Sequence, residues 1–292
     1  MSELVDLLVS LTFYGTAYGM VLYLLAVGLS VTLGLMRFIN LAHGVFAMTG
    51  GYLTVTAMSR LGVPFLVAVL AAVIVVGALG MLLERTLCRR LYKAPILEQV
   101  LFSIGLIFVS IALARYFFGP LAQPMTLPGW LSGRLDVGIG VFPTYRVFLV
   151  GVGALLAVAI WAGIERTRFG ASVRAAVDNR AMAESVGINV DRVFMLCFGL
   201  GTALAALGGS LGADLLPIYP GYPNDYLVYF LIVVAVAGAG NVGGALAVAL
   251  AFGIVDTMIR YFLPDFGRVL LFVLVMAVLY RRPHGFAPKI HA

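Results

Sequence analysis

The stretch YLVYFLIVVAVAGAGNVGGALAVALAFGIVD, residues 226–256, is long enough to span a membrane and carries a glycine-rich interruption in its middle. About 20 apolar residues in a helix cross the hydrocarbon core, and 30 uncharged residues separate Asp225 from Asp256. The central AGAGNVGG, residues 237–244, disfavours a continuous helix, because each glycine weakens a helix by about 1 kcal/mol relative to alanine. We therefore expect a broken run, either a re-entrant hairpin or a pair of half helices.

Backbone groups freed at such a break cannot face lipid, so the break must be buried in protein or line a watery cavity. The first half of the chain has a comparable interruption, GLMRFINLAHGVFAMTGGY (34–52), in which Arg37, Asn40 and His43 break an apolar run. Paired broken segments in the two halves of a membrane protein indicate a translocation pathway. The residues predicted to line it are Asn40, His43, Gly44, Gly238, Gly240 and Asn241. The alternatives are close helix packing at the glycines and hydrogen bonds between helices at the polar residues.

The composition indicates an all-α, polytopic integral membrane protein. Hydrophobic residues make up 62% of the 292 residues and charged residues only 11%, whereas about 25% are charged in a soluble domain. The apolar runs predict about eight transmembrane helices, including broken or re-entrant segments, in a single domain over residues 1–292. The net charge of +6 does not indicate nucleic-acid binding, because the basic residues form short clusters beside apolar runs.

Three basic clusters set the predicted orientation, since lysine and arginine concentrate on the cytoplasmic side of a membrane. They lie in segment 84–98, in segment 165–192 and in the C-terminal tail: Arg85, Arg89, Arg90 and Lys93; Arg166, Arg168, Arg174, Arg180 and Arg192; Arg281, Arg282 and Lys289. Segment 115–146 is rich in proline and glycine and is predicted to be an outer loop. Three apolar runs separate residue 192 from the tail, so one of them, 226–256, cannot cross in the ordinary way.

The charged segment 165–192 is predicted to be a cytoplasmic surface that another protein grips. Its helical part is expected to start near Phe169 and Gly170, with Ser172 as a possible cap, and to end just before Gly187. A solvated connecting loop is the alternative, but loops that only connect helices need two to eight residues. The segment is therefore expected to form one or two short amphipathic helices joined to membrane spans at both ends.

Residue spacing within this segment supports helices. Arg174 with Asp178, and Arg180 with Glu184, are opposite charges four residues apart, a spacing that stabilises a helix surface. The residues expected on the buried face are Val173, Val177, Ala181 and Met182.

The chain carries no sign of an energy source of its own. Its two lysines, Lys93 and Lys289, follow Tyr92 and Pro288, so the phosphate-binding pattern GxxxxGK[ST] cannot occur. No carboxylate lies between Asp6 and Glu84, which disfavours coupling to protons or sodium ions. Neither catalytic residues nor a metal site is indicated, because the cysteines and histidines have no ligand spacing.

Three motifs, in the same order, resemble the permease subunits of branched-chain amino-acid ABC importers. RTRFGASVRAAVDNRAMAESVGINVDRV (166–193) is similar to the cytoplasmic coupling region of that family, INLAHG (39–44) to its N-x-A-H-G motif, and RRPHGF (281–286) to its R-P-x-G-[LF] ending. The resemblance covers essentially the whole chain. One departure is AGAGNVGGA (237–245), where the family often has G-G-x-G-S-x-x-G-A.

The resemblance implies a multi-pass importer subunit of a bacterial or archaeal cytoplasmic membrane. Its implied partners are a second homologous permease, two ATPase subunits that bind the ATP, and an extracytoplasmic solute-binding protein; no cofactor binds the chain itself. The implied coupling residues are Arg166, Phe169, Gly170, Arg174, Asp178, Asn179, Glu184 and Gly187. The implied solutes are hydrophobic amino acids, with urea or short amides as the alternative. A stand-alone channel or ion-coupled carrier, and a membrane enzyme, are the other function classes.

Overall fold

The computed structural model describes residues 2–36, 38, 40–92, 94–138, 140–282 and 285–286, so Arg37, Lys93 and Lys289 lie outside the described residues. The helices are α1 (Ser2–Met36), α2 (His43–Leu61), α3 (Phe65–Leu83), α4 (Arg89–Leu91), α5 (Ile96–Phe118), α6 (Thr144–Glu165), α7 (Arg168–Asp178), α8 (Arg180–Ser185), α9 (Val190–Gly212), α10 (Tyr222–Ala237), α11 (Val242–Phe262) and α12 (Gly267–Arg281). A π-helical turn, Glu84–Cys88, joins α3 to α4. Two short strands, β1 (Arg134–Asp136) and β2 (Val141–Pro143), pair antiparallel in the loop before α6.

Within the described ranges, six helical segments are long and apolar enough to cross a membrane. They are Glu3–Gly34, Phe65–Leu91, Ile96–Phe118, Thr144–Glu165, Val190–Gly212 and Val242–Phe262. The helix α2 has 19 residues but is less apolar, and α10 and α12 are shorter apolar helices. The expectation of a helical, polytopic membrane protein with broken segments is confirmed.

The helix α1 forms the centre of the bundle, where it is largely buried and packs against α6, α9, α10 and α11. Glycines allow the backbones of neighbouring helices to come into contact. A Cβ atom at Gly28 of α1 would overlap the backbone of Gly201 of α9, and one at Gly253 of α11 would overlap Gly15 and Gly19 of α1. Small residues bring membrane helices together in this way because helix association in lipid depends on close packing. By contrast, α5 and α6 are mostly exposed and apolar, as lipid-facing helices are.

The two ends of the bundle differ in character. At one end, which we call the outer end, the loop 119–143 folds back on α1, with the rings of Phe13 and Phe142 stacked 4.0 Å apart. At the other end, the inner end, α7 and α8 follow α6, whose 22 residues span about 33 Å. Arg89 of the first basic cluster forms an ion pair there with Asp191 of the second. These two clusters therefore share one face, as the charge pattern predicts.

The run 226–256 folds as a helical hairpin. The helix α10 ends at Ala237, the chain turns through Gly238 and Gly240 with φ of +87° and +84°, and α11 starts at Val242. The amide of Gly240 lies 3.1 Å from both the carbonyl and the hydroxyl oxygen of Ser30, near the inner end of α1. The helix α11 then returns along α1, so both ends of the run reach the outer end. The predicted break is confirmed as two helices joined by a turn, and a run with both ends at the outer end makes the number of crossings from residue 192 to the tail even.

The first interruption has a different geometry. The helix α1 ends at Met36 and α2 begins at His43, whose Nε2 lies 3.0 Å from the carbonyl oxygen of Leu25. Leu25 lies eleven residues before the end of α1. The first turn of α2 is therefore buried in the middle of the protein, level with Leu25 and not with the end of α1.

Candidate functional site

The charged segment forms two capped helices, α7 and α8, at the inner end. The Thr167 hydroxyl accepts a hydrogen bond from the amide of Gly170 at 3.2 Å, and the Asn179 side chain accepts one from the amide three residues on at 3.0 Å. The prediction of Ser172 as the cap is wrong. Ser172 lies inside α7 and donates to the carbonyl of Arg168 at 2.9 Å, because α6 ends at Glu165 and α7 already begins after the extended Thr167.

A close backbone contact fixes α7 on the end of α6. Gly170 is buried, and a Cβ atom there would overlap the carbonyl group of Ile164. The Arg174 guanidinium donates to this same carbonyl oxygen, so the predicted pair of Arg174 with Asp178 is wrong. The physical reason is that carbonyls in the last turn of a helix lack intrahelical donors and compete for nearby cations. Steric fit and a charged hydrogen bond thus act together at this joint.

The end of α8 is a glycine-dependent cap, as the sequence predicts. Gly187 has φ of +87°, its amide donates to the Glu184 carbonyl at 3.0 Å, and the Ile188 amide donates to the Ala183 carbonyl at 3.0 Å. These two bonds define a Schellman motif, in which a left-handed residue stops the helix and satisfies its last carbonyls. The chain is turned sharply from α8 toward α9.

Ion pairs connect α8 to its neighbours. Arg180 pairs with Glu184 at 2.9 Å, which confirms that prediction, and with Asp191 of α9 at 2.8 Å. Asp191 also pairs with Arg89 of α4. The hydrogen bond to Glu184 and the nearby charge of Asp191 raise the pKa of Arg180 above its ordinary value, so it stays charged. The network links α8 to α9 and to α4.

The two faces of this segment differ in polarity. Val173, Ala176 and Ala183 are buried and Val177 is half-buried, whereas Ala181 and Met182 are exposed, contrary to prediction. Half-buried Phe169 lies beside an apolar recess, and the Arg166 guanidinium lies 4.6 Å from the ring of Trp161. The exposed face carries most of the predicted coupling residues: Arg166, Arg174, Asp178, Asn179, Glu184 and Gly187.

The predicted pathway residues lie at the two breaks. Asn241 caps α11 by accepting from the Gly244 amide at 2.8 Å, and its Nδ2 donates to the Ala237 carbonyl at 3.2 Å. Gly238 and Gly240 form the turn between α10 and α11. These residues hold the hairpin together, so a packing role is present beside the predicted pathway role.

At the first break, polar atoms are buried inside the bundle. His43 is fully buried, and among the described residues its Nδ1 and the Nδ2 of Asn40 have no hydrogen-bond partner. Gly44 allows a close approach of α2 to α10, since a Cβ atom there would lie 3.0 Å from the Cα of Pro223. Buried polar atoms without partners are rare and often mark functional positions.

A polar cavity of about 680 Å³ opens between α1, α6, α10 and α11 toward the outer end. None of the six predicted pathway residues lines it. Five of its lining residues are tyrosines: Tyr14, Tyr18, Tyr219, Tyr226 and Tyr229. Four more are charged: Arg146, Asp225, Asp256 and Arg260. A volume of about 300–1,000 Å³ is typical of small-molecule sites.

Sequence reasoning missed this cavity and the carboxylate at its wall. The charge pattern places Asp256 at the end of an apolar run, yet Asp256 lies inside α11, is 2% exposed, and pairs with Arg260 at 2.7 Å. A second buried carboxylate, Glu84, accepts a hydrogen bond from the Tyr92 hydroxyl at 2.7 Å. The four-residue spacing of Asp256 and Arg260 was the available indication. The bundle therefore contains buried carboxylates, contrary to the expectation from the sequence.

Comparison with known proteins gives the family. The family described as branched-chain amino acid transport system / permease component matches residues 11–279. The high-affinity branched-chain amino acid transport system permease protein LivH of Escherichia coli (strain K12) is 28% identical over 295 residues, covering 94% of this chain and 93% of that protein. The corresponding protein BraD of Pseudomonas aeruginosa is 28% identical and covers 93% and 92%.

A relative from an archaeon also matches the chain. The probable branched-chain amino acid transport permease protein LivH of Methanocaldococcus jannaschii is 25% identical over 279 residues, covering 92% of this chain and 89% of that protein. No solved structure matches the chain. The family match spans the central helix, the broken segments and α7–α8 alike. The chain therefore belongs to the family of permease components of branched-chain amino acid transport systems and is a multi-pass transport subunit of the cytoplasmic membrane.

Proposed function

We propose that this chain is one permease subunit of an ABC importer that moves branched-chain or other hydrophobic amino acids into the cell. The observation that carries the proposal is the family match over residues 11–279, which includes the capped helices α7 and α8. Two partner ATPase subunits bind and hydrolyse the ATP, a second homologous permease completes the pathway, and an extracytoplasmic solute-binding protein delivers the solute. The chain itself binds no cofactor.

The arrangement of α7 and α8 supports a coupling role. Gly170 leaves no space between α7 and the end of α6, and the pairs of Asp191 join α8 to α9 and α4. A push on the exposed face of this segment would therefore move the attached membrane helices rather than bend a loose loop. Closure of the ATPase pair acts on residues 165–192, and the two permeases alternate their access in response.

Copurification followed by uptake tests the proposal. The chain is coexpressed with the ATPase, permease and binding-protein genes of its transport system, and the assembly is isolated through a tag on the ATPase. In proteoliposomes, radiolabelled leucine should accumulate only with ATP and the binding protein, whereas urea should not accumulate. Accumulation of urea in preference to leucine would favour the short-amide alternative, and failure of the ATPase to copurify would contradict the coupling role.

A further inference from the structure

The charged groups of the outer cavity are unevenly paired. Asp256 and Arg260 form an ion pair at 2.7 Å, and Asp225 accepts a hydrogen bond from the Tyr219 hydroxyl. Arg146, half-buried on the first turn of α6, forms no ion pair within 4 Å among the described residues, although the charge of Asp214 acts on it from a longer distance. Its guanidinium lies 5.6 Å from the ring centroid of Tyr14. The cavity thus presents one cation whose charge the protein leaves unmatched at close range.

A half-buried guanidinium of this kind favours an anion. Arginine binds carboxylates through two parallel hydrogen bonds, and such charge-assisted bonds are about twice as strong as neutral ones. A neutral solute such as urea would leave Arg146 without an opposite charge in direct contact, since Asp214 lies beyond ion-pair distance. A carboxylate that enters the cavity therefore gains an interaction that a short amide cannot make.

The rest of the cavity suits a positively charged group on the solute whose carboxylate binds Arg146. Asp225 is exposed to the cavity and remains an acceptor for further donors, because an ionised carboxylate has about four lone-pair sites. Tyrosine rings add faces that attract ammonium groups within about 6 Å. Two arginines and two aspartates give the lining a formal charge of zero. A zwitterion matches this lining better than a net cation or a net anion does.

We propose that the outer cavity binds the head group of an α-amino acid, with Arg146 binding the carboxylate and Asp225 binding the ammonium group. The proposal rests on the proposed function only in taking the solute to be an amino acid. Leu215 and Leu216 line the same cavity and offer apolar surface to the amino-acid side chain. The site lies on the outer side of the α10–α11 turn, so a solute meets it before it reaches the two breaks.

Competition binding with leucine analogues tests each half of the site separately. The complete transporter, in lipid nanodiscs without nucleotide, is titrated with radiolabelled leucine against 3-methylbutylamine, which lacks the carboxylate, and 4-methylpentanoate, which lacks the amine. Arg146→Ala should weaken leucine and 4-methylpentanoate about 10-fold or more and leave 3-methylbutylamine unchanged. Asp225→Asn should weaken leucine and 3-methylbutylamine and leave 4-methylpentanoate unchanged.

Matched controls come from the outer loop. Arg134→Ala and Asp136→Asn remove the same charges from β1, where both residues are exposed and do not line the cavity, and they should change no affinity. Three outcomes would each overturn the proposal. They are equal losses of affinity for all three ligands, unchanged leucine affinity in both cavity variants, and no leucine binding to the wild-type transporter. The binding assay uses neither ATP nor the binding protein, so its result is separate from the test of ATP-driven uptake.

Discussion

Replacing Gly170 by alanine tests whether α7 moves together with α6. A Cβ atom at this position would lie 2.6 Å from the carbonyl carbon of Ile164, whereas carbon atoms normally approach to about 3.5 Å, so α7 must shift by about 1 Å. Overpacking of this kind costs about 1–3 kcal/mol, and the gain from replacing a helical glycine, about 1 kcal/mol, offsets only part of it. The expected result is a normally inserted protein whose α7 is displaced from the end of α6.

The assay compares Gly170→Ala with Gly163→Ala, since a Cβ atom at Gly163 would meet nothing within 4 Å. Both variants should reach the membrane in equal amounts. ATP-driven uptake should fall several-fold for Gly170→Ala and stay at the wild-type level for Gly163→Ala. Equal uptake by the two variants would refute the rigid joint between α6 and α7.

Three further predictions concern the helix cap, the ion-pair network and the buried pair. Asn179→Ala should lower the stability of α8 by about 0.5–2 kcal/mol, seen as faster limited proteolysis of segment 165–192. Asp191→Asn removes both ion pairs of that residue. It should lower thermal stability by less than about 1 kcal/mol, because the pairs are exposed, but it should reduce the amount of solute transported per ATP hydrolysed. Unchanged transport per ATP would contradict a role of the network in coupling. Arg260→Ala removes the ion-pair partner of the buried Asp256 carboxylate and should lower stability by about 1–3 kcal/mol in thermal unfolding, while adding Asp256→Asn should restore much of the loss.

The sequence was informative where a residue type has one strong backbone preference. The glycines at 238 and 240 predicted the break in run 226–256, and the structure has positive φ at both. Gly187 likewise predicted the end of α8. In each case the left-handed conformation is much easier for glycine than for any other residue, so local sequence was sufficient.

The sequence was uninformative where a side chain has several possible partners and the fold decides which of them it contacts. Arg174 and Asp178 have the right spacing for an ion pair, but the Arg174 guanidinium donates instead to the carbonyl oxygen of Ile164 at the end of α6. Asp256 has the charge of a span end, but Arg260 four residues on allows it to be buried. The outer cavity is assembled from α1, α6 and the α10–α11 hairpin, which are far apart in sequence, so no local pattern indicated it.

The central claim is that the membrane helices of this chain move solute only when force reaches them through α7 and α8. Uptake into proteoliposomes, measured with and without the ATPase partners, tests this claim most directly. The account predicts that vesicles containing this permease and its homologous partner alone equilibrate solute at most, and that ATPase subunits with ATP are required for accumulation. Accumulation of leucine against its gradient by the chain without any ATPase, driven by a proton or sodium gradient, would contradict the account.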